Sequence, residues 1–522
     1  VVGVLADLSR TRVAVGDLRG GVRDLRRARA IADSLSLGPA HYAELVLSEG
    51  DLQLALKVYS RAFDLYRSAE DLFSALDSPG GQARALEGQG LLNMIREDFE
   101  EASGVLAKSM SLRRQSAQPD PRALSITGMY LALAQEEMGD LAGARRELKD
   151  IANTLARLGD GVGEAAVMAS LGDLEVRRGD IDSADSRFLR GLALLKGRIA
   201  PEVEWRLHAG RADVFQSSER VDAAIEELLL AIEAAERVGY GLPLEEGNRV
   251  RAGHSDLYIR LAEKLVRDGQ IETAFEMAER ARAQRTIAVL NGGRVGIPLG
   301  ASADLLGREQ DLRIRLNNLS LELGRSDRSL VRRRESTGVS ASGRRDLRLA
   351  MDQAQQEYAR LLAQMRISAP EYSFWVNPEL SSLEDVSALL GGDQALLEYL
   401  LGPEATLVFV VTADTVAVLP LEISGTSLQD MVGFARGVVK GGPHGSADFV
   451  WRSSLQNLHE ALLTPVETSG LLSGKNTLVI IPHGDLHYLP FQALINPVDN
   501  TFLVERYAVS YAPSASTWAH LT

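Results

Sequence analysis

The chain contains no cysteine in 522 residues. That excludes disulfide staples, thiolate metal sites and a thiol nucleophile within this stretch. Aromatic residues are also sparse, at 5%, while Ala, Leu and Arg dominate, a balance that suits stacked helices better than a β-rich fold. No apolar run approaches the roughly 18 residues that a membrane span needs. A signal-peptide architecture is missing as well, so a cytoplasmic protein is expected. The chain opens on Val1-Val2-Gly3 without Met, and both ends read as interruptions. Positive charge is in the minority: 57 Lys and Arg stand against 71 Asp and Glu, a net charge of −14. This argues against generic binding to nucleic acid or an anionic membrane. What is present, 45% apolar and 25% charged residues, is the balance of a soluble globular protein long enough for roughly two to four domains.

The first half repeats. A Gly-Asp turn, or a polar variant, is followed five residues after its first position by a small residue. It occurs as Gly16-Asp17…Gly21, Gly50-Asp51…Ala55, Glu97-Asp98…Ala102, Gly139-Asp140…Ala144, Gly179-Asp180…Ala184, Glu219-Arg220…Ala224 and Gly269-Gln270…Ala274. Successive starts lie 34, 47, 42, 40, 40 and 50 residues apart. Each turn separates two patterns of helical period, the unit of a TPR-like solenoid of about seven repeats. Leu171-Gly172, Gly179, Ala184 and Phe188 fit the TPR spacing best, and spacings above 34 predict longer helices or looser turns. Within a unit, Ile225, Leu228, Leu229 and Ile232 form one apolar stripe, with Glu226, Glu227 and Glu233 largely off it. Such an array presents a groove for a protein or peptide partner.

From about Asn291 the repeat fades into the joint Asn-Gly-Gly-Arg-Val-Gly-Ile-Pro. Helical patterns over 304–334 and 344–366, split by Ser336–Gly343, predict an antiparallel hairpin. Its Arg-rich tip (Arg325, Arg328, Arg332, Arg333, Arg334, Arg344, Arg345, Arg348) lacks stacking aromatics and reads as a solvated end, with no nucleic-acid partner expected. Past Pro370 the chain becomes α/β. A helix near Leu383–Leu390 precedes a strand Ala395–Leu401, and Thr406–Val411 and Thr415–Leu419 form a hairpin. Helices follow at Leu428–Val439 and Phe449–Leu463, split by the connector Gly441–Gly445. The unbroken apolar run Leu478-Val479-Ile480-Ile481 predicts a strand buried on both faces. Tyr507–Tyr511 predicts another, and Ser514 caps a helix starting at Ala515.

The run Ile481-Pro482-His483-Gly484-Asp485-Leu486-His487-Tyr488-Leu489-Pro490-Phe491-Gln492-Ala493-Leu494 resembles a signature of CHAT domains, the caspase-like peptidase domains often found behind TPR repeats. So does Val509-Ser510-Tyr511-Ala512-Pro513-Ser514-Ala515-Ser516. Leu396-Leu397-Glu398-Tyr399 and Leu407–Thr412 resemble the family's opening strands. The resemblance implies a catalytic His in a His-Gly context and a catalytic Cys, both downstream of the Pro-Ser-Ala segment, and neither has a counterpart here. The expected architecture is therefore multidomain. Residues 1–290 form an all-α TPR-like solenoid, 291–369 a helical hairpin connector, and 370–522 an incomplete α/β caspase-like (CHAT) domain. A sheet stopped after its fifth strand predicts an open edge and half-covered apolar faces.

Several residues invite a site. His483, Asp485 and His487 have the spacing of helical metal ligands, but Pro482, Gly484 and Pro490 make the stretch non-helical, so no metal is expected there. Gly470…Gly474-Lys475-Asn476 is one residue short of a phosphate loop, and Asn476 replaces its Ser/Thr, so no nucleotide cofactor is expected. Ser514 and Ser516 lack the Gly-x-Ser-x-Gly elbow of a nucleophile. No catalytic residue is assigned in this chain. The expected function is the protein-interaction and regulatory portion of a CHAT-type cysteine peptidase. The alternative is a non-enzymatic TPR scaffold whose CHAT-like domain is structural.

Overall fold

The computed structural model describes residues 2–14, 18–35, 37–56, 58–115, 120–198, 200–238, 253–292, isolated positions between 304 and 319, 341–368, 380–440 and 447–522. The Arg-rich tip up to Arg334 and the Gly441–Gly445 connector lie outside them. The chain divides into two compact units, Val1–Val203 and Glu204–Thr522.

The first unit is a row of paired helices: α1 (Val2–Ala14), α2 (Leu18–Ser34), α3 (Pro39–Ala55), α4 (Tyr59–Ala75), α5 (Pro79–Ile95), α6 (Phe99–Gln115), α7 (Pro121–Glu137), α8 (Leu141–Leu158), α9 (Gly161–Arg177) and α10 (Ile181–Leu195). From α3 onward the odd helices start 40, 42 and 40 residues apart, as do the even ones. Helices of mostly 17 residues account for a period above that of an ordinary TPR. Local chemistry sets this period. Pro39, Pro79 and Pro121 sit in the first turn, where a missing N–H costs nothing. Asp120, Asp140, Asp160 and Asp180 each cap a helix by accepting a backbone N–H, from Arg122, Gly143, Gly163 and Ser183.

The expected turns at Glu97-Asp98, Gly139-Asp140 and Gly179-Asp180 are present, and Ala102, Ala144 and Ala184 after them are fully buried. Gly50-Asp51 is not a turn: both residues lie inside α3, which ends at Ala55. Gly50 is there because Tyr66 packs onto it, and a Cβ would come within 2.8 Å of the ring. The repeat turn falls about six residues later, so the spacings of 34 and 47 read from the sequence both become about 40. Ala62, fully buried, then takes the small-residue position. Phe188 covers Gly172, where a Cβ would lie 2.3 Å from the ring.

The second unit holds the rest of α11 (Pro201–Ser217), then α12 (Val221–Val238), α13 (Ser255–Arg267), α14 (Ile271–Gly292), α15 (Ala341–Ser368) and α16 (Leu383–Leu389). On α12, Ile225, Leu228 and Ile232 are buried as expected, but Leu229 is 50% exposed. Glu227 is buried in its stead, held by Arg211 and by His208 at 2.6 Å. Of the expected hairpin, α15 is described, and Tyr358 Oη on it donates to Glu309 at 2.9 Å.

Five strands follow: β1 (Gln394–Leu401), β2 (Thr406–Val411), β3 (Val416–Leu421), β4 (Thr477–Ile481) and β5 (Ala508–Tyr511), in the order β3-β2-β1-β4-β5. β1 pairs antiparallel with β2 and parallel with β4, and β4 pairs parallel with β5. Helices α17 (Gly425–Lys440), α18 (Ala447–Leu462) and α19 (Thr464–Thr468) make the crossover from β3 to β4. A short α20 (Leu503–Arg506) precedes β5, and α21 (Ala515–Leu521) follows it.

Alternation along β1 sends its residues to two cores. Ala395, Leu397 and Tyr399 join Leu428, Val432, Leu458 and Leu462 from α17 and α18. Leu396 and Leu400 join Phe409, Val479 and Ile481, and this face packs against Leu261, Phe275 and Ala278 of α13 and α14. Half-covered faces were expected, and both are in fact covered, because the last pair of repeat helices lies on one of them. The edge strand β5 keeps three of its four residues exposed.

Substitutions at the repeat glycine and the repeat turn give opposite predictions. Gly172→Ala forces Phe188 from its seat and costs about 1–3 kcal/mol. Glu97, which holds a left-handed φ of 62°, is relieved by Glu97→Gly, a gain of about 0.5–1 kcal/mol. Urea unfolding of the full chain followed by helical circular dichroism checks both signs.

Candidate functional site

The second unit's charged chemistry concentrates where the last repeat helices meet the strand ends. Arg282 of α14 is 4% exposed. Its Nε donates to Glu398 Oε1 at 2.8 Å, Nη1 to the Pro482 carbonyl at 2.6 Å, and Nη2 to the Tyr399 carbonyl. One guanidinium thus joins the middle of β1 to the residue just after β4. One turn earlier on the same helix, the fully buried Glu279 accepts the backbone N–H of Ala515 at 3.1 Å and of Ser516 at 2.7 Å, and also the Ser516 hydroxyl. It therefore caps α21, the helix that begins where β5 ends. Burial and the neighbouring Glu279 push the Glu398 carboxyl up to about 8, against the opposing pull of Arg282.

Helix α13 treats the end of β1 in the same way. Glu263 accepts the backbone N–H groups of Glu404 at 3.2 Å and Ala405 at 3.0 Å, closing the turn between β1 and β2. Lys264, 3% exposed, pairs with Glu404, and Arg267 pairs with it at 2.7 Å. Burial raises the Glu263 carboxyl, while hydrogen bonds and charge from Lys264 and Arg267 hold Glu404 below the usual range against its own partial burial. The carboxyl ends of all three parallel strands are therefore held by one helical hairpin.

The residues singled out in the sequence take other roles. His483, 5% exposed, accepts the Leu401 N–H on Nδ1 at 3.1 Å. Residues 484–488 form a short 3-10 turn, contrary to the expectation of no helix, since Gly484 supplies a positive φ of 56° and one tight turn fits between the prolines. Burial, and then the Arg282 charge, lower the His487 imidazole. Asp485 joins neither histidine in a cluster: among the described residues, no three His, Asp or Glu side chains are grouped to hold a metal. Lys475 Nζ donates to the Gly392 carbonyl at 2.7 Å, and the Asn476 carbonyl accepts from Ala508, so this stretch anchors strand starts. Ser514 caps α21 through the Thr517 N–H at 3.0 Å. Ser516 is the partner of Glu279.

Sequence reasoning missed Glu263, Lys264, Glu279, Arg282 and Glu398. One signal was available: Glu398 is a lone charge inside Leu396-Leu397-Glu398-Tyr399-Leu400-Leu401, a run otherwise apolar enough for a central strand.

The first unit carries a second candidate surface. Each odd helix packs on the next odd one, α1 on α3, α3 on α5, α5 on α7 and α7 on α9. Side chains 40 residues apart tie the row together: Glu44 with Arg84, Glu87 with Thr127, and Glu137 with Arg177 at 3.4 Å. Between α1, α3 and α5 lies a cavity of about 450 Å³ lined by Asp7, Arg10, His41, Glu44 and Arg84. Asp51, whose carboxyl burial raises, lies close enough to Arg10, Arg84 and Glu87 to feel their charge. On α7, Ile126 and Leu133 stand seven residues apart on one helix face, 44% and 42% exposed.

Residues 452–521 match the CHAT domain family. The chain thus joins TPR-like helical repeats to a CHAT segment. No curated protein matches it. Several solved structures do. BtubC (BKLC) from P. vanneervenii is 16% identical with a TM-score of 0.36, covering 47% of this chain and 94% of that one. The apo form of RapI is 12% identical with a TM-score of 0.41, covering 55% and 97%. The apo quorum sensor NprR from B. thuringiensis is 14% identical with a TM-score of 0.37, covering 54% and 86%. At these scores the overlap adds no weight, and the repeat architecture stands on the helix pairing of the chain itself. Among the described residues, no helix is long and apolar enough to cross a membrane.

Removing the guanidinium tests how much the strand ends depend on it. Arg282→Met leaves Glu398 and the Pro482 and Tyr399 carbonyls buried without their donor, and costs about 3–5 kcal/mol. Chemical unfolding followed by Trp518 and Trp451 fluorescence reads the second unit directly.

Proposed function

We propose that this chain is the protein-interaction and regulatory portion of a CHAT-type cysteine peptidase. The odd-helix row of the first unit takes a peptide or protein segment, and the α13–α14 hairpin sets the strand ends of the CHAT segment. The observation that supports this reading most directly is the grip of Glu263, Lys264, Glu279 and Arg282 on the ends of β1, β4 and β5. Binding and catalytic groups of open α/β sheets gather at the carboxyl ends of parallel strands, so a helix that fixes those ends fixes what they carry. With no Cys among its 522 residues, this portion supplies no thiolate of its own. Peptide recognition by the row is favoured by its mixture of charged side chains around the α1–α3–α5 cavity and by the exposed apolar pair Ile126 and Leu133.

A second reading, a scaffold whose CHAT segment is structural, draws support from the covered faces of the sheet, which make the second unit a solid body.

Selecting peptides from a displayed random library on the full chain tests the recognition step. Binders should lose at least about tenfold in affinity with Ile126→Asp or Leu133→Asp, roughly 1.4 kcal/mol or more, and be indifferent to Arg67→Glu on the exposed side of α4. Equal losses from all three, or none from the α7 pair, would overturn it. Incubation of the purified chain with the same library should release no cleaved product, and cleavage that survives purification to homogeneity would contradict the assignment of no catalytic residue here.

A further inference from the structure

The Glu279–Arg282–Glu398 cluster has an unbalanced charge. Two carboxyls and one guanidinium are enclosed together, and Glu279 and Glu398 are both fully buried. Three donors converge on Glu279, satisfying it as a carboxylate. Arg282 reaches only Oε1 of Glu398, no donor reaches Oε2, and the Glu279 carboxylate lies within hydrogen-bonding reach of the Glu398 carboxyl, which a proton on Glu398 would satisfy. An unneutralised anion at that position carries a desolvation cost that the single guanidinium, already shared with two carbonyls, cannot offset.

We infer that Glu398 holds a proton, and that this proton keeps the latch between α14 and the ends of β1, β4 and β5 closed. The groups facing the carboxyl pair are Arg282 on its own helix, Ser516 and the Ala515 amide at the start of α21, and the Pro482 and Tyr399 carbonyls. The Arg282 charge also reaches His487 of the 3-10 turn, whose imidazole burial and then that charge lower below its usual value. Nothing in this inference requires the peptidase reading.

The direction of the pH effect follows from linkage. The Glu398 carboxyl has a usual value of 4.5 when solvated and about 8 when enclosed. Between these two values the open state sheds the proton while the closed state keeps it, so opening becomes easier as pH rises. Below about 4.5 both states keep it and above about 8 both have lost it, so the effect levels off at each end.

Hydrogen–deuterium exchange of the full chain, corrected for intrinsic rates, tests this on peptides covering 512–521 and 482–490. In the native sequence, protection of these segments should fall by up to about tenfold per pH unit between about pH 5 and 8, then level off. Glu398→Gln, which keeps an oxygen for Arg282 and cannot ionise, should flatten that profile. His487→Gln should leave it unchanged. A variant profile that matches the native slope, or a native profile with no slope, overturns the inference. Infrared difference spectroscopy of the native chain does not depend on a variant folding. A protonated carboxylic-acid carbonyl band at about pH 7 that vanishes above the enclosed value supports the proton, and its absence at about pH 7 overturns it.

Discussion

One buried guanidinium sets the geometry of the second unit. Arg282 reaches the Glu398 carboxyl in the middle of β1 and a carbonyl just beyond β4, elements far apart in sequence that only the folded sheet brings side by side. Ion clusters of this kind add little net stability over well-packed apolar residues, because each charge is costly to desolvate. What they supply is register: an apolar contact tolerates sliding, whereas three guanidinium nitrogens each aimed at a fixed oxygen do not. The α14 helix therefore has one seat on the sheet, and its apolar face (Phe275, Ala278, Ala281) fills the space that this seat defines.

The first unit solves a different problem. Its helices meet through close approaches that only glycine permits, as where Tyr66 lies on Gly88 and Phe188 on Gly172. The odd helices are then cross-tied by partners one repeat apart. Exposed pairs of this type contribute little individually. Repeated with the period of the helices, they keep neighbouring units in step.

Much of this was legible in the chain. Strands such as Leu478–Ile481 announce themselves because burial on both faces forbids polar residues, and Ser514 and the recurring Asp residues mark helix starts through a local rule. Gly50-Asp51 misled because a glycine required for close packing and a glycine required by a turn look alike in sequence. Leu229 misled because an ion pair, Arg211 with Glu227, claimed the buried position that periodicity gave to an apolar residue. The latch was illegible for a more basic reason: Glu279 and Arg282 sit on a helix whose charged residues read as solvated, and only the sheet arriving more than a hundred positions later encloses them. Coverage of the sheet by repeat helices was missed on the same ground, since the chain was read as successive domains.

The even spacing of the first unit bears on how such a chain can change over generations. First-turn prolines and cross-ties recur at about 40 residues and Asp caps at half that, so unequal recombination that adds or deletes one whole helix pair would bring equivalent residues opposite each other again. The array can grow or shrink in whole modules, and the row of odd helices can be lengthened without redesign of any junction. An insertion inside a helix would disturb only the ties that span it, since partners further along shift together, and the 42-residue interval between the starts of α5 and α7 shows that a turn can absorb two extra residues.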